Sequence, residues 1–312
     1  MNEQGGDASA NPAGPSLARR IERQIGRVFP AHAIAVTAEA IAAYAEAIGD
    51  TEAVLERRGQ ARPFADMALP APPTFLFTLS IAKPSPFDVY EALHIDQARI
   101  LHAEQSFSFW APIVAGQRLT FTPRLTGASE KRDGALVFVT TTTAVADETG
   151  QRVAELGTTI AVRQEAAGNA PRPAGHPAMP LTIKPAIAMP PVTPETLARF
   201  AAASGDHNPI HLDSAAAHAA GLDDVIAHGM LIAAYAGGAA GRWFPGRRIV
   251  HFTTRFTGMT RLGDIISLSI VAGEPGPEPR SFIISAHDQF GDMKLRSRVV
   301  LETATFEESR TK

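Results

Sequence analysis

Within FAAASGDHNPIHLDSAAAHAAGL, residues 200–222, an acid, two imidazoles and an amide fall inside six residues: Asp206, His207, Asn208 and His211. A carboxylate beside an imidazole is a general acid/base pair. One group takes a proton while the other supplies or positions one, and histidine changes charge near neutral pH. On an unbroken helix Asp206 and His211 would stand about 140° apart and could not converge. Pro209 alters that, because it disfavours helical backbone at Asn208. The helix therefore ends near Asp206, and the turn that follows can bring the two side chains to one side. Asn208 can satisfy backbone groups exposed in that turn. The same residues would also serve as an ordinary helix end, with Asp and Asn in turn hydrogen bonds and the histidines exposed. His207 and His211, with Asp206 and Asp213 nearby, would make a zinc pair only on an unbroken helix. No glutamate fills the general-base slot of an H-E-x-x-H motif, so no metal is expected.

Ala227-His228-Gly229-Met230 stands where an apolar helix begins. The first N–H groups of a helix have no intrahelical partner and lie at its positive end. Gly229 would let a ligand approach that N–H closely, the arrangement that holds a developing oxyanion. A glycine there would also suit a tight helix entry and nothing more. Acid/base chemistry beside a carbonyl needs both signals together.

The elements that would position these groups occur twice. TAEAIAAYAEAIGD (37–50) lies over TPETLARFAAASGD (193–206) without a gap, Asp50 falling on Asp206, and the same offset carries 71–77 onto 227–233. HAEQSF (102–107) matches the spacing of HFTTRF (251–256) at a slightly smaller offset. Each copy reads as a Thr-capped helix (38–48, 194–204), an irregular stretch, an apolar helix (74–82, 229–242) and four alternating strands. In the second copy the strands are 249–257, 264–272, 280–288 and 293–304. The helix GMLIAAYAGGAAG is apolar on every side and must be surrounded. A helix wrapped by a curved antiparallel sheet is the hot-dog arrangement, so an α+β double hot dog is expected. QEAAGNAPRPAGHPAMP, 164–180, reads as a linker between domains at 17–163 and 181–308, with 1–16 a polar, disordered tail.

The first copy acts as an internal control. It keeps Asp50, but Leu55 stands for His211, Glu52 for Asn208, Ala53 for Pro209 and Pro73 for Gly229. Proline has no N–H to offer an oxyanion. The first half therefore reads as a non-catalytic partner that completes the sheet and walls a pocket. Its PPTFLFTLSIA and EQSFSFWAPI would line an acyl channel or simply pack a core.

Composition narrows the field. A net charge of −3 with no long basic run argues against a nucleic-acid surface, and the absence of cysteine excludes disulfides, thiolate catalysis and Cys-based zinc sites. No apolar run is long enough for a membrane span, and the N-terminus has no secretory h-region, so the cytoplasm is the expected compartment.

At these motifs the chain resembles the MaoC-like, R-specific enoyl-CoA hydratase family. FAAASGDHNPIH is similar to the hydratase 2 motif throughout, and the likeness spans roughly 181–306. The first half, through APPTF and HAEQSFSFWAPIVAGQRL, resembles the degenerate N-terminal hot-dog domain of fused (3R)-hydroxyacyl thioester dehydratases. The resemblance implies reversible hydration of a trans-2-enoyl thioester on CoA or acyl carrier protein, with no cofactor. It gives His211 the role of base on water and Asp206 the proton at C2. Asn208 would position water or the dyad, and the Gly229 N–H would bind the thioester carbonyl. Gly237 or Gly238 would stand where some relatives carry a serine that orients the dyad. A thioesterase and a non-catalytic thioester binder are the alternatives. Arg242, Arg247, Arg248 and Arg261 are candidates for phosphate contact. The oligomeric state would be a pseudo-dimeric monomer or a homodimer.

Overall fold

The structure, a computed structural model, describes residues 16–51, 69–131, 135–164, 182–274 and 279–302. Nearly all of the expected tail and linker, and the positions Glu52, Ala53 and Leu55, lie outside the described residues. So do 303 and 304 of the last expected strand.

Two helices of the first half set its frame: α1 (Leu17–Glu22) and α2 (Ala38–Ala47). They are followed by α3 (Phe75–Ile81) and α4 (Asp88–Ala92). The second half holds α5 (Pro194–Ser204), α6 (Ser214–Ala219) and α7 (Gly229–Trp243). The repeat is visible in the caps. Thr37 Oγ1 accepts from Ala40 N and Thr193 Oγ1 from Thr196 N, each satisfying an orphan donor of its helix. Both helices stop at a left-handed glycine, Gly49 at φ 66° and Gly205 at φ 75°.

The strands are β1 (His32–Ala35), β2 (Ile100–Phe109), β3 (Arg118–Lys131), β4 (Leu136–Ala146) and β5 (Arg152–Arg163). The second half has β6 (Ile187–Ala188), β7 (Ile249–Phe256), β8 (Ser267–Ala272), β9 (Ser281–His287) and β10 (Met293–Leu301). All pair antiparallel in one sheet, in the order β1-β3-β4-β5-β2-β7-β10-β9-β8-β6. The halves meet at β2 and β7, with Phe107 opposite Phe252. Among the described residues each half thus has five strands, not four. The short edge strands β1 and β6 carry too few residues for alternation to reveal them.

This is the double hot dog. One apolar core runs through both halves: Tyr44 packs on Phe75 and Phe200, and its hydroxyl bonds Thr74 Oγ1 at 3.0 Å. α7 is buried along most of its length, as an all-apolar helix requires. α3 is half as long and stops before Lys83-Pro84-Ser85-Pro86, where the prolines cannot continue it. The concave face beyond its end is left open to a cavity. Among the described residues no helix is long and apolar enough to cross a membrane.

Candidate active site

Pro209 does what its chemistry dictates. α5 ends at Ser204, and Pro209–His211 forms a single 3-10 turn whose cap is Asn208, with Asn208 Oδ1 accepting from Ile210 N at 3.3 Å. The turn carries His211 back to Asp206. His211 is buried, and its Nδ1 lies 2.8 Å from the Ile226 carbonyl. A carbonyl accepts only, so Nδ1 carries the proton and Nε2 keeps a lone pair. Burial pushes His211 below the usual imidazole range, opposed by the charge of Asp206 and by the Ile226 carbonyl. Burial thus favours the neutral ring, whose Nε2 is free to accept a proton. Asp206 Oδ1 accepts from Asn208 N at 3.2 Å.

His228 is the residue that the motifs alone did not reveal. It precedes Gly229 at the start of α7 and makes no side-chain cap bond there. Instead its Nε2 donates to the Asp206 carbonyl at 3.0 Å, and its ring lies 3.9 Å from that of His211, centroid to centroid. Burial first, then the neighbouring His211, push His228 down to about 3. Its place in the apolar start of α7, beside a recognised motif, was the only available signal.

Asp206, Asn208, His211 and Gly229 line one cavity of about 1030 Å³, whose other walls include Phe77, His102 and Phe256. The four sequence-derived residues are thus brought together at one wall. Asn208 serves the turn through both its main chain and its side chain. The N-terminal half contributes α3 and His102, which burial pushes down to about 4 against the hydrogen bond to Gln105 and the charge of Asp206. Phe256 packs flat against Gly229: a Cβ there would meet the ring at 3.1 Å.

Two expectations change. Gly237 and Gly238 do not face Asp206. A Cβ on Gly237 would meet Pro73 and Thr74, and one on Gly238 would meet the Asp50 carboxylate at 3.1 Å. They let α7 pack against the first half, and Asp206 is oriented by Asn208 N and His228 instead. Of the four arginines only Arg261 lines the cavity. Arg242 reaches the sulfur of Met189, while Arg247 and Arg248 bond Glu302. Arg255, not singled out in the sequence, also lines the cavity. His207 is exposed and takes no part.

Asp206, His211 and His228 each offer a ligand atom within 4.8 Å of the others. One nitrogen of each ring is already given to a main-chain carbonyl, that of Ile226 for His211 and that of Asp206 for His228. The trio suits proton handling better than coordination.

Residues 178–276 match the MaoC-like domain and residues 23–156 the FAS1-like dehydratase domain region. The chain belongs to the MaoC-like dehydratase family. Its similarity to 3-hydroxyacyl-thioester dehydratase X of Mycobacterium tuberculosis is 30% identity over 176 residues, 56% of this chain and 61% of that protein. A UPF0336 protein of Streptomyces griseus is 31% identical over 140 residues, 45% of this chain and 92% of its own. A solved MaoC-like dehydratase superposes with a TM-score of 0.75 at 23% identity, over 91% of this chain and all of that one. The two family models fall on the two halves of the repeat. In this MaoC-like dehydratase the half that kept the histidine and the glycine is the one that matches the MaoC-like domain.

Proposed function

We propose that the protein is a hydro-lyase that interconverts a trans-2-enoyl thioester and the (3R)-3-hydroxyacyl thioester. The observation that carries the reading is the convergence of His211, Asp206 and the start of α7 on one cavity. The thioester carbonyl oxygen sits at the Gly229 N–H, where the helix end favours growing negative charge. This polarises C3 towards attack. His211 Nε2 removes a proton from water as its oxygen bonds C3, and the C2–C3 π electrons move into the enolate. Passed through Asp206, that proton reaches C2 and the carbonyl re-forms. Dehydration is the reverse. Every step uses groups of this chain, the His211 and Asp206 side chains and the Gly229 N–H, and a neutral His211 is the form that attack on water needs.

The N-terminal half walls the acyl side of the cavity and supplies no base. The carrier is coenzyme A or an acyl carrier protein, with Arg261 and Arg255, both cations of the cavity lining, as candidates for its phosphates. The pseudo-twofold pairing of β2 with β7 makes one chain equivalent to a hot-dog dimer.

The test is to mix the protein with crotonyl-CoA and follow loss of the enoyl chromophore, free thiol and product chirality, with His211→Ala and Asp206→Asn beside it. Formation of (3R)-3-hydroxybutyryl-CoA, reduced about a thousandfold or more in both variants, is the expected result. Thiol release without hydration would move the assignment to a thioesterase.

A further inference from the structure

The concave face of the sheet carries a polar row that the dyad does not use. In register across five adjacent strands, Thr141 lies opposite Thr158, Thr158 opposite Gln105, Gln105 opposite Thr254, and Thr254 opposite Ser297. Gln105, Thr254 and Ser297 are fully buried. The row divides the interior of the first half: Phe107, Val145 and Leu156 belong to the core on one side, Val139, Leu125 and Ile160 to a separate cluster on the other. Valine has nearly the shape of threonine and would fill the same space without a hydroxyl to satisfy.

Part of the row is satisfied internally. Thr158 Oγ1 donates to Gln105 Oε1 at 2.9 Å, His102 Nε2 lies 3.1 Å from the same oxygen, and Thr254 bonds Ser297 at 2.7 Å. Thr141 and Thr143 differ. Both are buried on the inner face of β4 and line the cavity, and among the described residues neither hydroxyl has a hydrogen-bond partner. They face the space left where α3 stops.

The strand order says what part of a substrate would reach them. Phe256, on β7, lies against Gly229, where the thioester carbonyl is held. Thr141 and Thr143 stand on β4, three strands from β7, on the order of 14 Å across the sheet at the usual strand spacing. A chain running from the carbonyl therefore meets them only near the far end of a long acyl group. The row itself holds no charged side chain, and the nearby Lys83 is already paired with Asp88 at 2.6 Å.

We propose that the Thr141 and Thr143 end of this row is a specificity subsite for a long acyl chain bearing a neutral hydrogen-bonding group, such as a hydroxyl, oxo or ether oxygen, towards its far end. An unbroken alkyl chain would leave the Thr141 and Thr143 hydroxyls buried and unpaired, which is how such a site rejects the analogue lacking a polar group. The inference rests on the hydratase reading for the position of the thioester.

The test compares trans-2-hexadecenoyl-CoA with chains of equal length carrying a hydroxyl, oxo or ether oxygen in their far half. The expected kcat/KM for at least one oxygenated chain is about tenfold or more above the alkyl chain, and T141V/T143V brings the ratio to parity or below. A wild-type protein that turns over hexadecenoyl-CoA as well as every oxygenated analogue overturns the proposal, whether or not the variant folds. Calorimetric titration with palmitoyl-CoA and its hydroxylated counterpart separates the two readings. If no enoyl thioester is hydrated, the hydratase assignment falls. Tighter binding of the hydroxylated chain would still uphold the subsite, and equal binding would remove it.

Discussion

His228 lies face to face with His211 at 3.9 Å while its Nε2 holds the carbonyl of Asp206 at 3.0 Å. One side chain thus packs on the base and bonds the main chain of the acid, from the residue next to the oxyanion donor. It ties together three groups that stand 23 residues apart in the sequence, from Asp206 to Gly229.

Replacing His228 by Phe keeps the packing on His211 and removes the bond to Asp206. We expect kcat to fall roughly tenfold to a hundredfold with KM changed by less than about threefold, since a positioning group acts through the groups it holds. His228→Gln retains an N–H and should restore part of the loss. Equal kcat in the Phe variant and the wild type would assign His228 to packing alone.

Acid should destabilise this fold earlier than carboxylate chemistry alone predicts. His228 and His102 lie near 3 and 4 in the folded state, below the ordinary 6.5, and His211 is lowered as well. The unfolded chain therefore binds more protons as the pH drops. Their contribution is complete above about pH 6.5 and is lost as pH falls towards the folded values, by at most about 1.4 kcal/mol per histidine for each pH unit. Melting temperature measured from pH 8 to pH 4 should fall, and H228F should flatten the slope. A slope unchanged by H228F would contradict the assignment.

Gly238→Ala tests the join between the halves. Its Cβ would lie 3.1 Å from Asp50 Cγ and Oδ1, inside a packed interface. Overpacking of this kind costs about 1–3 kcal/mol. The variant should melt several degrees lower while the folded fraction keeps its kcat. A lost kcat at unchanged melting temperature would place the glycine in the site after all.

Lys294 is buried, bonds the Met259 carbonyl at 3.0 Å and lies 2.9 Å from Asp288 and 3.5 Å from Asp264. Burial pushes Asp288 up, but the Lys294 bond and the Asp292 and Phe290 amides outweigh it, to about 2. Lys294→Met takes the cation from between two buried carboxylates, which costs about 3–5 kcal/mol. The loop it anchors presents Thr260 O to Ala227 N, next to His228. Chemical denaturation should show the loss, and a change below about 1 kcal/mol would mean that the carboxylates find other support.

The sequence by itself determined the local events, because they depend on neighbours along the chain. Thr37 and Thr193 begin helices, Gly49 and Gly205 end them, and Pro209 forces the turn that returns His211 towards Asp206. The repeat also identified Pro73 as the position where the oxyanion donor is missing. Only the tertiary structure decided what those groups face. Whether Gly238 serves Asp206 or Asp50 depends on how α7 crosses the other half, and nothing in its neighbours records that. His228 stands at a helix start in the sequence, and only the fold brings its ring against His211. The polar row of Thr141, Thr158, Gln105, Thr254 and Ser297 is drawn from five strands spread over more than 150 residues. Each member alone is an ordinary strand residue. Only antiparallel register, fixed by the burial of alternate side chains, sets them side by side.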